Sequence, residues 1–302
     1  MTIKELQNEF LSAEKKYIDP IDFFLLIAHT LKKEKIFILT HPEYEINSSE
    51  EKNIRNNILR RIQHEPIAYI TGSKEFYGYD FTVTKDTLIP RPETEQIVEL
   101  VIESVHNQQL TENKEQKIAI IDIGTGSGNI IISIVKEIKK QFTSSVSNIS
   151  FYALDISLPA LVVAKENAKK HAVENNIEFY TSDLLEGMKE KIPQTDILII
   201  TANLPYVSHT LYENTPPDVH NFEPMTALIS EEDGLAHYHR LLKKIKQLSY
   251  TKQSFFLLLE MSPEQSLPLS RFISDLFPQA TVHIHQDLAQ KDRIVSIILS
   301  RL

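Results

Sequence analysis

Asn203-Leu204-Pro205-Tyr206 brings a planar side-chain amide, a proline-restricted backbone and an aromatic ring together in four residues. The Asn203 side-chain oxygen and the Leu204 carbonyl can accept the two N–H groups of a planar amide or amino nitrogen. Tyr206 can then cover one face of the group. Such a nitrogen is a weak nucleophile because its lone pair is delocalised, so the help a protein can give is geometric: hold the N–H groups and aim the lone pair. No strong general base is required before attack. Leu204 precedes Pro205, which biases its backbone toward extended geometry.

A second cluster reads as a ligand loop. The chain has only seven glycines, and three of them fall within Gly124-Thr125-Gly126-Ser127-Gly128. A tight strand-to-helix turn needs residues that tolerate unusual φ and let a ligand approach the backbone. The spacing G-x-G-x-G differs from the G-x-G-x-x-G of dinucleotide folds. Asp122 can brace the loop or accept from a ligand ammonium group. Asp155 ends the next apolar run, where a carboxylate can hold the two hydroxyls of a ribose. Asp183, with Leu184 beside it, ends the run after that and can accept from an adenine amino group. Each acid taken singly also reads as a helix cap and the glycines as a plain turn. In order, each after a strand, they make a nucleoside-cofactor site.

These residues need strands to carry them. Short apolar runs rich in β-branched or aromatic residues recur at Ile118–Ile123, Ile149–Leu154, Ile177–Thr181, Ile197–Thr201 and Ser254–Leu259. Helical segments such as Leu158–Glu174 and Leu235–Leu248 separate several of them, which predicts an α/β fold with a mainly parallel sheet. Thr281–Ile284 and Ile294–Leu299 lie too close for a crossover, so that C-terminal strand pair is expected to be antiparallel. Before residue 75 the apolar residues recur at helical spacing (Leu6, Phe10, Leu11; Phe23, Phe24, Ile27, Leu31; Ile54, Ile58, Leu59, Ile62) and predict a small helical bundle. Helix starts are expected at Asp19-Pro20 and Ser48-Ser49-Glu50-Glu51. Phe76–Val83 reads as a hairpin or an extended connector. Ile89-Pro90-Arg91-Pro92 is extended before Glu93-Thr94-Glu95 opens a helix. The expected domains are a helical recognition module at 1–74, a connector at 75–92 and a catalytic domain at 93–302.

Composition narrows the function. At 302 residues the chain can hold one large domain, or a catalytic domain of about 200 residues plus a small one, and 42% hydrophobic with 24% charged residues is ordinary for a globular protein. No run approaches the roughly 20 apolar residues of a membrane helix, and MTIKELQNEF has no hydrophobic signal core. There are no cysteines, hence no disulfides, thiolate metal sites or cysteine nucleophiles, and a cytoplasmic location is the expectation. A formal charge of −9 is a poor match for a polyanion, so no stable nucleic-acid binding is expected.

The motifs together resemble the release-factor glutamine methyltransferases (protein-(glutamine-N5) methyltransferases) along nearly the whole chain. The resemblance rests on Pro66–Gly72, Phe81, Ile89-Pro90-Arg91-Pro92-Glu93-Thr94-Glu95, Asp122–Gly128, Asp155, Asp183, Asn203–Tyr206, Phe222-Glu223-Pro224-Met225-Thr226-Ala227-Leu228 and Asp233-Gly234. It implies a Rossmann-like class I fold dependent on S-adenosylmethionine, no metal, and methylation of the glutamine in the Gly-Gly-Gln loop of peptide-chain release factors. It also implies that Gly124, Thr125, Gly126, Ser127, Gly128, Asp155, Asp183, Leu184 and Asn203 hold the cofactor. Asn203, Leu204, Pro205 and Tyr206 hold the acceptor amide. Two departures stand out: Leu204 replaces the family's usual first proline, adding an N–H and a freer φ, and Leu184 stands where some members carry an aromatic residue.

Other features read more plainly. His237/His239 and His283/His285 lack a third ligand and read as surface or half-buried histidines. Arg91 is open between a ligand contact and a brace. Glu231-Glu232-Asp233 reads as a solvated loop, and Lys243-Lys244 as an exposed helix face. The alternatives for function are a ribosomal-protein glutamine methyltransferase, an adenine amino-methyltransferase needing room for a flipped base, and a cofactor-binding module without catalysis. A nicotinamide oxidoreductase is disfavoured by the glycine spacing.

Overall fold

A computed structural model describes all residues except 13–16, 111–115, 143–147, 189, 193–194, 249–252 and 301–302. Two compact units are present: Met1–Ser73 with Pro216–Phe222, and Lys74–Thr215 with Glu223–Leu302.

The first unit holds helices α1 (Ile3–Leu11), α2 (Pro20–Leu31), α3 (Lys35–Thr40), α4 (Ser48–Ile62) and α5 (Ile67–Thr71). The helix starts follow sequence chemistry. Thr2 with Glu5 and Asn47 with Glu50 form capping boxes, and Asp19 caps α2 with Pro20 as its first residue. Asn47 rather than a serine caps α4, one residue earlier than the sequence suggests. Ile3, Leu6, Phe23, Leu26, Ile27, Ile54 and Ile58 are buried at helical spacing in one core.

The hairpin of β1 (Ser73–Phe76) and β2 (Tyr79–Thr82) follows, all but Ser73 in the second unit. A 3-10 turn (Pro92–Thr94) then runs into α6 (Glu95–Leu110). The Rossmann-like run follows: β3 (Ile118–Ile123), α7 (Asn129–Gln141), β4 (Ile149–Asp155), α8 (Leu158–Lys170), β5 (Ile177–Thr181) and β6 (Ile197–Ala202). α9 (His209–Tyr212) comes next, and α10 (Pro217–Phe222) belongs to the first unit. The chain ends with α11 (Ala236–Leu248), β7 (Ser254–Glu260), α12 (Ser266–Leu276), β8 (Thr281–Gln286) and β9 (Asp292–Leu299).

The main sheet has seven strands in the order β5-β4-β3-β6-β7-β9-β8. All pairs from β5 to β7 are parallel, and β9 is antiparallel to both β7 and β8. Every residue of β3 and β6 is buried, as strands covered on both faces require. Alternate residues feed two cores. Ile121, Ile123, Leu154, Ile200 and Leu259 pack with Tyr238 and Leu242 of α11 and Ile273 of α12. Ile118, Ile120, Phe151, Ile199 and Leu258 pack with Ile97 of α6, Ile131 of α7, and Phe76 and Phe81 of the hairpin. The edge strand β8 is only partly buried, consistent with its polar alternation. Successive strands from β3 step first toward β4 and β5, then across to β6. The sheet therefore opens a crevice at the carboxyl ends of β3 and its neighbours, where open α/β sheets bind ligands.

Candidate active site

The crevice is lined by Gly124–Ser127, Asn129, Asp155, Asp183, Leu184, Asn203, Leu204 and Pro205, with Arg91, Thr94, His237 and Arg240. Its empty volume, open mouth included, is ≈ 1160 Å³.

The glycine loop is held from below. Asp122 is fully buried and accepts from the Thr125 hydroxyl at 2.7 Å and the Thr201 hydroxyl at 2.8 Å. Both oxygens are thus engaged, so it braces the loop rather than facing the crevice. Burial pushes its carboxyl up to about 6, with the two hydroxyls pulling the other way. Asp155 Oδ2 accepts from the Gly126 N–H at 2.9 Å and Oδ1 from the Ser157 N–H at 2.8 Å. Desolvation raises its carboxyl, while the backbone N–H groups of Ser157, Gly126 and Ile156 pull it down. Three donors on about four acceptor sites leave room for a further hydroxyl donor from a ligand.

At the next strand end, Asp183 pairs with Arg240, and Lys244 contacts Glu186 at 2.6 Å. Lys244 is half-buried and engaged, whereas Lys243 beside it is exposed as the sequence predicts for that helix face. Leu184, at positive φ, is 5% exposed and lies in the core that backs the crevice.

Asn203 follows β6, and its Nδ2 donates to Thr94 Oγ1 at 3.1 Å. The N–H that Leu204 carries in place of a proline donates to the Tyr238 hydroxyl at 3.2 Å. Tyr238, fully buried, in turn donates to the Glu260 carbonyl. Gly124 makes room for Leu204: a Cβ at position 124, where φ is +71, would sit 2.9 Å from Leu204 Cδ2. Gly234 does the same for Tyr206, since a Cβ there would lie 2.0 Å from the Tyr206 carbonyl oxygen. That carbonyl accepts from Gln265 Nε2 at 2.7 Å. The Tyr206 hydroxyl donates to Glu260 Oε1 at 3.1 Å, so the hydroxyl end of Tyr206 is committed inward and its acidity is suppressed by burial.

The FEPMTAL segment is joined to this loop. Val207 bridges to Ile229, with Val207 N–H donating to Leu228 O at 2.8 Å. Glu223, 5% exposed, accepts from the Ile89 N–H at 3.1 Å and pairs with Arg91. Arg91 is therefore a brace between the two motifs that also lines the crevice. His237 Nδ1 lies 2.8 Å from Ser230 Oγ, His239 stacks on Phe272 with ring centroids 3.9 Å apart, and His285 Nε2 lies 2.8 Å from Ser296 Oγ.

Comparison with known proteins gives these features a family. Residues 7–72 match the PrmC N-terminal domain, and residues 114–262 match a methyltransferase domain. The release factor glutamine methyltransferase of Bacillus cereus is 32% identical over 90% of this chain and 89% of its own length. That of Clostridium acetobutylicum is 31% identical over 97% and 93%. The chain belongs to the release factor glutamine methyltransferase family. It is also 33% identical to the bifunctional methyltransferase of Rickettsia bellii, where 92% of this chain corresponds to only 51%, about half, of that protein. Among solved structures, the N-terminal domain of human METTL16 in complex with SAH superposes with a TM-score of 0.50. It is 17% identical and covers 95% of this chain and 97% of that one. At that identity it supports the methyltransferase fold alone, as the strand order does.

This family member carries polar residues at its site that sequence reasoning did not assign. Thr94 and Glu223 belong to the Ile89–Glu95 and Phe222–Leu228 segments, whose sequence shows no role for either residue. Glu260 and Tyr238 lie in no motif. Glu260 had a signal: a lone acid ending an apolar strand run, the same pattern that marked Asp155. Tyr238 looked like one more apolar position of α11.

Proposed function

We propose that this enzyme methylates the side-chain amide nitrogen of the glutamine in the Gly-Gly-Gln motif of peptide-chain release factors, using S-adenosylmethionine. The observation that carries the reading is the single crevice lined by Asn203–Pro205, the glycine loop and Asp155. S-adenosylmethionine, when bound, would supply the methyl as an electrophile on a positively charged sulfur that keeps the C–S electron pair. Gly124–Gly128, Asp155, Asp183 and Leu184 would hold that cofactor, Asp155 through the acceptor capacity its three backbone donors leave free. Asn203 Oδ1 and the Leu204 carbonyl accept the two N–H groups of the glutamine amide, which directs the nitrogen lone pair along the line of transfer. Pro205 restricts the backbone and the Tyr206 ring packs beside the amide. The amide proton departs to solvent after the N–C bond forms. The helical module at 1–74 is assigned to recognition of the protein substrate, with 75–92 as connector and 93–302 as the catalytic domain.

The test is incubation with methyl-labelled cofactor and, separately, release factor, ribosomal protein and nucleic acid, with the label located by mass spectrometry. Label on the Gly-Gly-Gln glutamine is expected. Label on a ribosomal-protein glutamine or on an adenine would replace this reading with that one. Asn203→Ala is expected to abolish turnover while cofactor binding survives.

A further inference from the structure

Behind Asn203 lies a buried carboxylate that the amide-holding reading leaves unused. Glu260 ends β7, the strand beside that of Asn203, and is 1% exposed. Each of its oxygens receives a hydroxyl: Oε2 from Thr94 Oγ1 at 2.6 Å, and Oε1 from Tyr206 at 3.1 Å. Thr94, itself buried, accepts from Asn203 Nδ2 at 3.1 Å. A continuous chain therefore runs from Asn203 through Thr94 and Glu260 to Tyr206.

The direction of these bonds is not free. A carboxylate only accepts, and a hydroxyl has a single proton. With Glu260 ionised, the Thr94 proton is committed to Oε2, and toward Asn203 the hydroxyl offers only a lone pair. Only the NH2 end of Asn203 can meet it, so Oδ1 is turned away from Thr94. We infer that Thr94 and Glu260 are positioning residues that decide which end of the Asn203 amide faces the acceptor nitrogen. Glu260 acts by fixing the direction of the Thr94 proton, and holds the Tyr206 hydroxyl in the same way. The inference rests on the reading that Asn203 Oδ1 receives a substrate N–H. With its amide reversed, Asn203 would point N–H donors at a group that also presents N–H donors, and a repulsive contact would replace a hydrogen bond. Burial pushes the Glu260 carboxyl up. The Thr94 and Tyr206 hydroxyls and Arg293 of β9 favour its ionised form, against Glu93.

The test uses the full-length enzyme and Thr94→Val, which keeps the side-chain shape and removes the hydroxyl. Turnover on release factor should fall by about tenfold or more, while the cofactor Kd stays within about twofold. Thr94→Ser should restore turnover to within about threefold. In asparagine-labelled protein the side-chain NH2 signals of Asn203, assigned by their loss in Asn203→Ala, should exchange slowly with solvent. That protection should disappear in Thr94→Val, a readout independent of the substrate. Wild-type turnover in Thr94→Val, unchanged protection, or a Thr94→Ser variant as impaired as the valine would overturn the inference. Should Thr94→Val not fold, Glu260→Gln serves instead: its amide can accept from only one of the two hydroxyls, so turnover should fall with cofactor binding intact, and unchanged turnover overturns the inference. An active Asn203→Ala would sink the amide-holding reading itself. An inactive Asn203→Ala beside an unimpaired Thr94→Val would sink only the positioning roles.

Discussion

The Leu204 backbone N–H donates to the Tyr238 hydroxyl at 3.2 Å, and that hydroxyl donates onward to the Glu260 carbonyl. A proline at position 204 would present no donor. Leucine does, in a buried setting where an unpaired N–H is costly, and α11 supplies the acceptor. Its side chain meanwhile fills the core above Gly124.

Tyr238→Phe should therefore leave two buried backbone groups without partners and destabilise the protein by about 2 kcal/mol in urea unfolding. Adding Leu204→Pro to Tyr238→Phe removes one of those orphans. The double variant should be more stable than the sum of the two singles by about 1 kcal/mol; strict additivity would mean that the Leu204–Tyr238 bond contributes nothing.

Gly124→Ala should cost about 1–2 kcal/mol for its positive φ alone. It should also displace Leu204, because the added carbon meets Leu204 Cδ2 at 2.9 Å. Turnover should drop, and Leu204→Ala in the same chain should recover part of it by clearing the space. No recovery would place the damage in the glycine loop rather than in the acceptor segment.

Asp122 makes stability depend on pH in a definite direction. Its folded carboxyl titrates near 6, above the ordinary value of 3.8, so the fold prefers the protonated form. That preference stabilises fully below about pH 4 and is lost as the pH rises through about 6, a difference of roughly 3 kcal/mol. Relative to wild type, Asp122→Asn should gain stability by an amount of that order between pH 4 and pH 8 in urea titrations. A pH-independent difference would show that Asp122 ionises normally in the fold.

Asp155→Asn should weaken cofactor binding by about tenfold or more in calorimetric titration, because a neutral amide holds hydroxyl donors less strongly than a carboxylate. Folding stability should change by less than about 1 kcal/mol, since an amide oxygen can still take one of the backbone donors. An unchanged Kd would remove Asp155 from the cofactor site.

Much of the fold was legible because its signals are local. The five parallel runs were continuous and apolar where both faces are covered, so each strand was found to within about two residues of its ends. The antiparallel pair followed from the short gap between its strands. Cap chemistry located α2 correctly and missed α4 by one residue, since Asn47 caps as well as serine does. The candidate site was legible to the depth of single motifs, in that the glycine loop, Asp155 and Asn203 line one crevice. What lay beyond reach was pairing across the chain. Nothing near Arg91 points to Glu223, nor near Asp183 to Arg240, nor near Leu204 to Tyr238. Those partners are chosen by the register of strands far apart in sequence, and a lone tyrosine on a helix looks the same whether it packs or accepts a hydrogen bond.

The bond from Asn203 to Thr94 spans 109 positions, and the bond from Thr94 to Glu260 spans 166. The turn before α6, the end of β6 and the end of β7 must all have docked before Asn203 is held in one orientation. Contacts of such long range close slowly, because loop entropy must be overcome before they form. During refolding, then, turnover should not return before helix content does. The bond pattern ties activity to the docking of three segments far apart in sequence.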